Sequence, residues 1–252
     1  MPRFCAILAY DGTAYQGFQR QAGEIPTVQL MVERAIAAVT GQSVTIKGAG
    51  RTDSGVHARG QVIAFDGDWR HEDSTLLRAI NANLPGDVAL QDIWQQEGFH
   101  PRFDARSRWY RYTVVQAEQR QPLLQYRAWQ YYWPLDIEIM QQAAALLIGT
   151  HDFACFGNPP QGNNTVRDLM VSRWTMQPQP YGALFTYDVE ANAFLQHMVR
   201  RMVGLLVDVG RGTISLIDFE RIFKSADLSL VKSLAPPQGL ILEKVRYGDD
   251  SR

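Results

Sequence analysis

Gly48-Ala49-Gly50-Arg51-Thr52-Asp53-Ser54-Gly55-Val56-His57 is the stretch of sequence around which the rest of this chain is organised. A β-branched run at residues 44–46 precedes it and an apolar run at residues 61–65 follows it, and both runs are typical of β-strands. We therefore expect a loop between two strands. The glycines of this loop permit backbone conformations and close approaches that other residues resist.

The loop places Asp53 two residues after Arg51. An aspartate beside an arginine can act as a nucleophile, a general base or a metal ligand. Aspartate, serine and glycine are also common turn residues, so composition alone favours an ordinary surface turn.

The bulk composition is that of a soluble globular protein, with 252 residues of which 46% are hydrophobic and 20% charged. This length allows one large domain or two of ordinary size. The net charge of -1 excludes a strongly basic nucleic-acid binder, so any RNA contact must come from a local cluster. Residues 99–112 form such a cluster, with four arginines against one aspartate: Arg102, Arg106, Arg108 and Arg111 against Asp104.

The cysteines and the apolar runs indicate where the protein works. Cys5 and Cys155 cannot form a disulfide framework, and neither is spaced with histidines as in a zinc site. The sequence opens without a signal-peptide pattern, and no apolar run approaches the roughly 18 residues that a membrane span needs. We expect a cytoplasmic protein without membrane association.

Hydrophobic periodicity predicts alternating strands and helices. Helices are expected at residues 27–40 with Thr27 as N-cap and Gly41 as stop, at 74–82, at 136–147 between Asp136 and Gly149, at 194–209, and at 216–223 after Ser215. Strands are expected at residues 3–10, 88–94, 109–115, 166–176, 183–190 and 240–245. Both halves follow the order strand, helix, strand, strand, helix, strand. The expected class is α+β, with a mostly antiparallel sheet and helices on one face.

The order of residues in the Asp53 loop closely resembles the catalytic loop of the tRNA pseudouridine synthase A family. Five further strings extend the resemblance, in the same order, over most of the chain: Tyr10-Asp11-Gly12-Thr13 with Gly17-Phe18-Gln19-Arg20-Gln21, Asn81-Ala82-Asn83-Leu84-Pro85-Gly86-Asp87, Phe99-His100-Pro101-Arg102-Phe103-Asp104-Ala105, Tyr110-Arg111-Tyr112, and Asn192-Ala193-Phe194 with His197-Met198-Val199-Arg200. Six strings in one order are far more specific than any one of them.

For the fold, the resemblance implies two ferredoxin-like halves, residues 1–106 and residues 107–252. Their sheets are expected to join across the molecule, with the active-site cleft between the halves and the Asp53 loop in it. The resemblance also implies a homodimer.

For the activity, the resemblance implies conversion of uridine to pseudouridine at positions 38 to 40 in the anticodon stem-loop of tRNA, with the base flipped out of its stack. Asp53 matches the catalytic aspartate, and Arg51 matches a loop arginine that we assign to the extruded nucleotide and its phosphate. Tyr110 matches a tyrosine that stacks under the uracil, and Arg200 matches an arginine that holds the Asp53 carboxylate. Arg201 lies about 100° further round the helix, so only one of the two can point there. The reaction needs no metal and no nucleotide cofactor.

The resemblance also implies a tRNA-contacting segment, in which arginine and aromatic side chains suit phosphate and stacking contacts. The residues expected to contact tRNA are Phe99, His100, Pro101, Arg102, Phe103, Arg106 and Arg108. The chain departs from the family at residues 158–165, a loop that holds no basic residue here.

Two other functions fit parts of the sequence. An RNA-binding module without catalysis would not need Asp53 together with its arginine and tyrosine partners. A hydrolase could be built on Asp53, His57 and His197 by metal or acid–base chemistry. No third ligand accompanies the two histidines, so we expect no metal site.

Overall fold

The computed structural model describes residues 1–159 and 162–248. Contacts within the chain group it into two compact units, one of residues 1–106 with the described residues from 241 onward, and one of residues 107–240. Of the residues 158–165 singled out above, Pro160 and Gln161 lie outside the described part. No helix among the described residues is long and apolar enough to cross a membrane.

The described residues form ten strands and five α-helices. The strands are β1 (Arg3–Tyr10), β2 (Lys47–Gly48), β3 (His57–Asp66), β4 (Val88–Gln95), β5 (Ser107–Gln116), β6 (Trp129–Tyr131), β7 (Gly149–Asp152), β8 (Val166–Gln179), β9 (Gly182–Ala191) and β10 (Leu240–Arg246). The helices are α1 (Val28–Thr40), α2 (Asp73–Asn83), α3 (Ile137–Ala145), α4 (Met198–Gly210) and α5 (Leu216–Ser225). Most strand pairs are antiparallel, which confirms the expected α+β class.

The first unit has the order β1, α1, β2, β3, α2, β4, and its strands lie in the order β4-β1-β3 with β2 also paired to β3. This is the order of a ferredoxin-like unit. α1 begins and ends as predicted. The Thr27 hydroxyl accepts from the Leu30 N–H at 3.4 Å, and Gly41 ends the helix in the left-handed region with φ of 70°.

The last strand, β10, runs parallel to the start of β3, with Ile241 opposite His57. The described residues from 241 onward therefore group with the first unit, whereas the sequence placed them in the second half.

In the second unit the strands lie in the order β5-β9-β8-β7, and β6 runs parallel to β5. α3 packs against β8 and α4. Its N-cap is Asp136, as predicted, and one carboxylate oxygen accepts from the N–H groups of Glu138 at 2.9 Å and Ile139 at 3.2 Å.

Some boundaries differ from the prediction for identifiable reasons. Residues 44–46 are not a strand, because the Ile46 N–H donates to the buried carboxylate of Glu33 at 3.1 Å instead of to a neighbouring strand. α4 begins four residues later than predicted, since His197 has a φ of 61°. Gly149, with φ of 103°, opens β7 instead of ending α3.

Candidate active site

The Asp53 loop connects β2 to β3, and its central residue is pinned inside the first unit. Thr52 is 7% exposed. Its hydroxyl oxygen lies 2.8 Å from the hydroxyl oxygen of Tyr10, and its carbonyl accepts from the Phe18 N–H at 3.1 Å. On either side of this buried residue, Arg51 is exposed and Asp53 is half-buried. The loop thus presents a guanidinium and a carboxylate while their common neighbour is held in place.

The part of the loop that follows Asp53 is hydrogen-bonded to Tyr15. The Tyr15 carbonyl accepts from the Ser54 hydroxyl at 3.1 Å and from the Gly55 N–H at 3.4 Å. The Tyr15 hydroxyl donates to the Asp87 carboxylate at 2.6 Å. Burial, together with this bond, raises the pKa of Tyr15, so it stays protonated as a donor. The family-like string that ends at Asp87 therefore supports the loop through Tyr15.

Two glycines of the family-like strings are needed for close backbone contact with the loop. A Cβ on Gly12 would lie 2.0 Å from the Val56 carbonyl oxygen. Gly17 has a φ of 90°, and a Cβ there would lie 2.9 Å from the Thr52 carbonyl oxygen. Any side chain at either position would displace the loop.

His57 is 4% exposed and faces the segment that follows β1. Its Nδ1 lies 3.0 Å from the Gly12 nitrogen and 2.9 Å from a carboxylate oxygen of Asp11. Both groups lie on the segment after β1, where the same Asp11 oxygen also accepts from the N–H and the hydroxyl of Thr13. His57 therefore orders the loop support.

The predicted residues of the second unit lie on β5 and α4. Tyr110 is 8% exposed, and its ring meets the Phe194 ring edge-on at 5.2 Å. Tyr112, two residues later, is fully buried, its hydroxyl donates to the Pro236 carbonyl at 2.7 Å, and burial raises its pKa.

Arg200 and Arg201 have different partners. The Arg200 Nε donates to the Ala235 carbonyl at 2.8 Å, and the Ala235 N–H donates back to the Arg200 carbonyl at 3.1 Å. The Arg201 guanidinium donates to the carbonyls of Phe156 and Gln196, each at 3.2 Å. Arg201 therefore holds two backbone segments, and Arg200 holds a third at Ala235.

Not all of the residues expected to contact tRNA lie at the surface. Phe99 is 4% exposed, and its ring lies 4.9 Å from the Tyr247 ring. Pro101 is buried, and its carbonyl accepts from the Tyr247 hydroxyl at 2.7 Å. Arg108 is 9% exposed and donates to the Asn192 carbonyl at 2.8 Å. These three residues anchor the chain.

The remaining four lie in the first unit and are less buried, with Phe103 and Arg106 exposed and His100 and Arg102 half-buried. We call these four residues the Phe103 surface. The Phe103 ring is 74% exposed and lies 4.2 Å from the His100 ring and 5.7 Å from the Arg102 guanidinium carbon. The His100 Nδ1 accepts from the N–H groups of Arg102 and Phe103. Burial lowers the pKa of His100, which favours the neutral ring that this role requires.

His197, the other histidine considered for a metal, precedes α4 at its N-terminus. Among the described residues no group of three or more histidine, cysteine, aspartate or glutamate side chains is arranged to hold a metal ion.

A sequence model of the tRNA pseudouridine synthase family matches residues 6–104 and 143–248, which include the Asp53 loop and all its supports. The chain belongs to the tRNA pseudouridine synthase family. The resemblance carried by the six strings is thereby confirmed, and the members of this family are isomerases.

Relatives of similar length carry the name tRNA pseudouridine synthase A. The chain is 40% identical over 247 residues to the Neisseria gonorrhoeae (strain NCCP11945) protein, covering 97% of this chain and 92% of the relative. It is 42% identical over 249 residues to that of Chloroflexus aurantiacus (strain ATCC 29366 / DSM 635 / J-10-fl), covering 98% and 89%. It is 39% identical over 249 residues to that of Pseudothermotoga lettingae, covering 98% of this chain and 100% of the relative.

A solved structure entitled "Crystal Structure of a Cbf5-Nop10-Gar1 Complex" covers 81% of this chain and 54% of its own, at 11% identity and a TM-score of 0.31. At that score the likeness does not establish a shared fold.

The close contact at Gly12 gives a stability prediction. We expect Gly12→Ala to lower the free energy of unfolding by about 1–3 kcal/mol, because the added methyl group must push the Val56 carbonyl away. Urea unfolding followed by circular dichroism measures the change. Gly86→Ala is the matched control, since a Cβ there meets nothing within 4 Å. Equal stability of the two variants would contradict the contact.

Proposed function

We propose that this chain converts uridine to pseudouridine at positions 38 to 40 in the anticodon stem-loop of tRNA, with Asp53 as the catalytic carboxylate. The observation that carries the proposal is the Asp53 loop of a tRNA pseudouridine synthase family member, in which buried Thr52 holds Asp53 beside exposed Arg51. The relatives' name, tRNA pseudouridine synthase A, supports the substrate class.

The reaction is an isomerisation in which no atoms are gained or lost. The bond from ribose C1′ to uracil N1 breaks, C1′ joins uracil C5, the C5 proton leaves and N1 takes up a proton. The base must leave its stack for this edge to be reached. A carboxylate, cationic partners and a proton acceptor are sufficient, so the proposal includes neither a metal nor a nucleotide cofactor.

In this proposal each site residue has one task. Arg51 binds the extruded nucleotide and its phosphate, for which a planar guanidinium is suited. Tyr110 stacks under the uracil, and Arg200 supplies a further cationic group for the reaction.

We propose that the Phe103 surface binds the tRNA body. An exposed ring flanked by a histidine and an arginine suits base stacking, and the guanidinium groups of Arg102 and Arg106 suit phosphates. A local surface of this kind is needed because the net charge of the chain is -1.

We further propose that the protein works in the cytoplasm as a symmetric homodimer, since the L-shaped tRNA extends far beyond one cleft of a chain of this size and two-fold pairs are the commonest oligomers. Light scattering of the purified protein is expected to give twice the chain mass. A monomer at working concentration would contradict the dimer.

The catalytic role of Asp53 predicts that Asp53→Asn lowers turnover by about 10⁴-fold or more while tRNA still binds, because the amide cannot act as nucleophile or base. Release of tritium from C5-labelled tRNA transcripts measures turnover, and filter binding measures affinity. Asp68→Asn is the control, an exposed aspartate whose loss should change neither quantity. Normal turnover in Asp53→Asn would exclude the assignment.

The Phe103 surface predicts a change in salt dependence. Each of Arg102→Ala and Arg106→Ala should reduce the slope of log affinity against log salt by about 0.7–0.9, one phosphate contact each. Arg108→Ala should instead lower stability, since that guanidinium is buried on the Asn192 carbonyl. Arg221→Ala on α5 is the matched exposed control. Unchanged slopes for both Arg102 and Arg106 variants would show that tRNA binds elsewhere.

A further inference from the structure

Gln61 is a fully buried polar residue in the middle of β3, directly before the apolar residues 62–65. Its Nε2 donates to the Gly50 carbonyl at 2.9 Å. Gly50 immediately precedes Arg51, so this bond reaches the start of the segment that presents Arg51 and Asp53. The mechanism proposed above assigns no role to Gln61.

The amide oxygen of Gln61 gives the residue an energetic cost. Its Oε1 is buried and has no hydrogen-bond partner among the described residues. The amide cannot be turned round to relieve this, because Oε1 would then face the Gly50 carbonyl oxygen. A buried acceptor without a partner carries a desolvation penalty that an apolar side chain of the same size avoids. Stability therefore does not explain a glutamine at this position.

The side-chain position of Gly50 is open, since a Cβ there would meet nothing within 4 Å. The adjacent Ala49 N–H donates to the Val62 carbonyl at 2.8 Å, which ties the loop to β3 one residue earlier. The next anchor along the chain is Thr52. Between these two points, the bond from Gln61 is what fixes the peptide that leads into Arg51.

The backbone around Gln61 is shaped to bring its side chain there. The pairing of β1 with β3 is regular up to Leu8 opposite Gln61 and then shifts, so that Tyr10 lies opposite Ala58. Within this irregularity a Cβ on Gly60 would lie 2.4 Å from the Glu243 carbonyl oxygen, so no other residue fits. Irregular pairing of this kind commonly aims a side chain next to an active site.

We propose that Gln61 is a positioning residue for the reaction, which holds the Gly50 carbonyl so that Arg51 meets the target nucleotide correctly. The inference rests on the proposed function of Arg51 and Asp53. It predicts a loss in the rate of the bound complex, with little loss of tRNA affinity, because most of the tRNA is held elsewhere.

The test is Gln61→Met, which keeps the size of the side chain and removes both polar groups. We expect the urea midpoint to stay unchanged or rise, the single-turnover rate to fall by about 10-fold or more, and the tRNA Kd to change by less than about 2-fold. Gln29→Met is the control. Gln29 is buried but its amide bonds at both ends, to the Arg20 N–H and to the Glu33 carboxylate, so this variant should lose stability.

A second variant, Gln61→Glu, provides a test if Gln61→Met does not fold. The protonated acid can donate to the Gly50 carbonyl and the carboxylate cannot, so its rate relative to wild type should rise as pH falls. An unchanged rate in Gln61→Met overturns the inference, and so does a rate that falls only in step with stability. If the wild type makes pseudouridine, Asp53→Asn does not and Gln61→Met retains full rate, this inference alone has failed. A wild type without activity overturns the proposed function as well.

Discussion

The placement of Arg51 and Asp53 depends above all on the buried side chain of Thr52, which lies between them. Thr52 is held by the hydroxyl of Tyr10 and by the Phe18 N–H, and its two neighbours are left to face outward. Without this anchor, a loop containing several glycines would sample many conformations. Ordering the loop would then cost conformational entropy in every catalytic event. In the first unit, β1, the turn after β1 and the turn after α2 all provide contacts that hold this loop.

Several residues of the family-like strings support the loop without carrying chemistry. Gly12 and Gly17 leave room for its backbone, His57 accepts from the Gly12 N–H, and Asp87 holds Tyr15 beneath it. This explains why the resemblance includes the strings that hold Gly12, Gly17 and Asp87. A few residues are proposed to carry the chemistry, whereas many residues fix where those few lie.

The five helices could be read from the sequence because they follow local periodicity, and Thr27 and Asp136 cap the helices they were expected to cap. The start of α4 and the role of Gly149 could not be read, because they depend on backbone angles that the sequence does not show. Residues 44–46 were misread as a strand, since the partner of the Ile46 N–H is Glu33, on a helix.

Which of the residues expected to contact tRNA are exposed was harder to predict, because burial depends on contacts between residues that are distant in the chain. The local sequence does not distinguish Phe99 and Arg108, which are buried, from Phe103 and Arg106, which are exposed. What buries them is contact with Tyr247 and Asn192, which are distant in the chain. Gln61 directly precedes the apolar residues 62–65 in sequence, but its burial and its bond to the Gly50 carbonyl are known only from the structure. The roles of Asp53, Arg51, Tyr110 and Arg200 in the reaction stay predictions.

The most direct measurement is a map of pseudouridine in tRNA from cells that lack this chain, repeated after the wild-type chain is restored. The account predicts that pseudouridine at positions 38 to 40 disappears in the absence of the chain and returns with it, while other pseudouridines are unchanged. Pseudouridine that persists at those positions without the chain, or a loss confined to other positions, would contradict it.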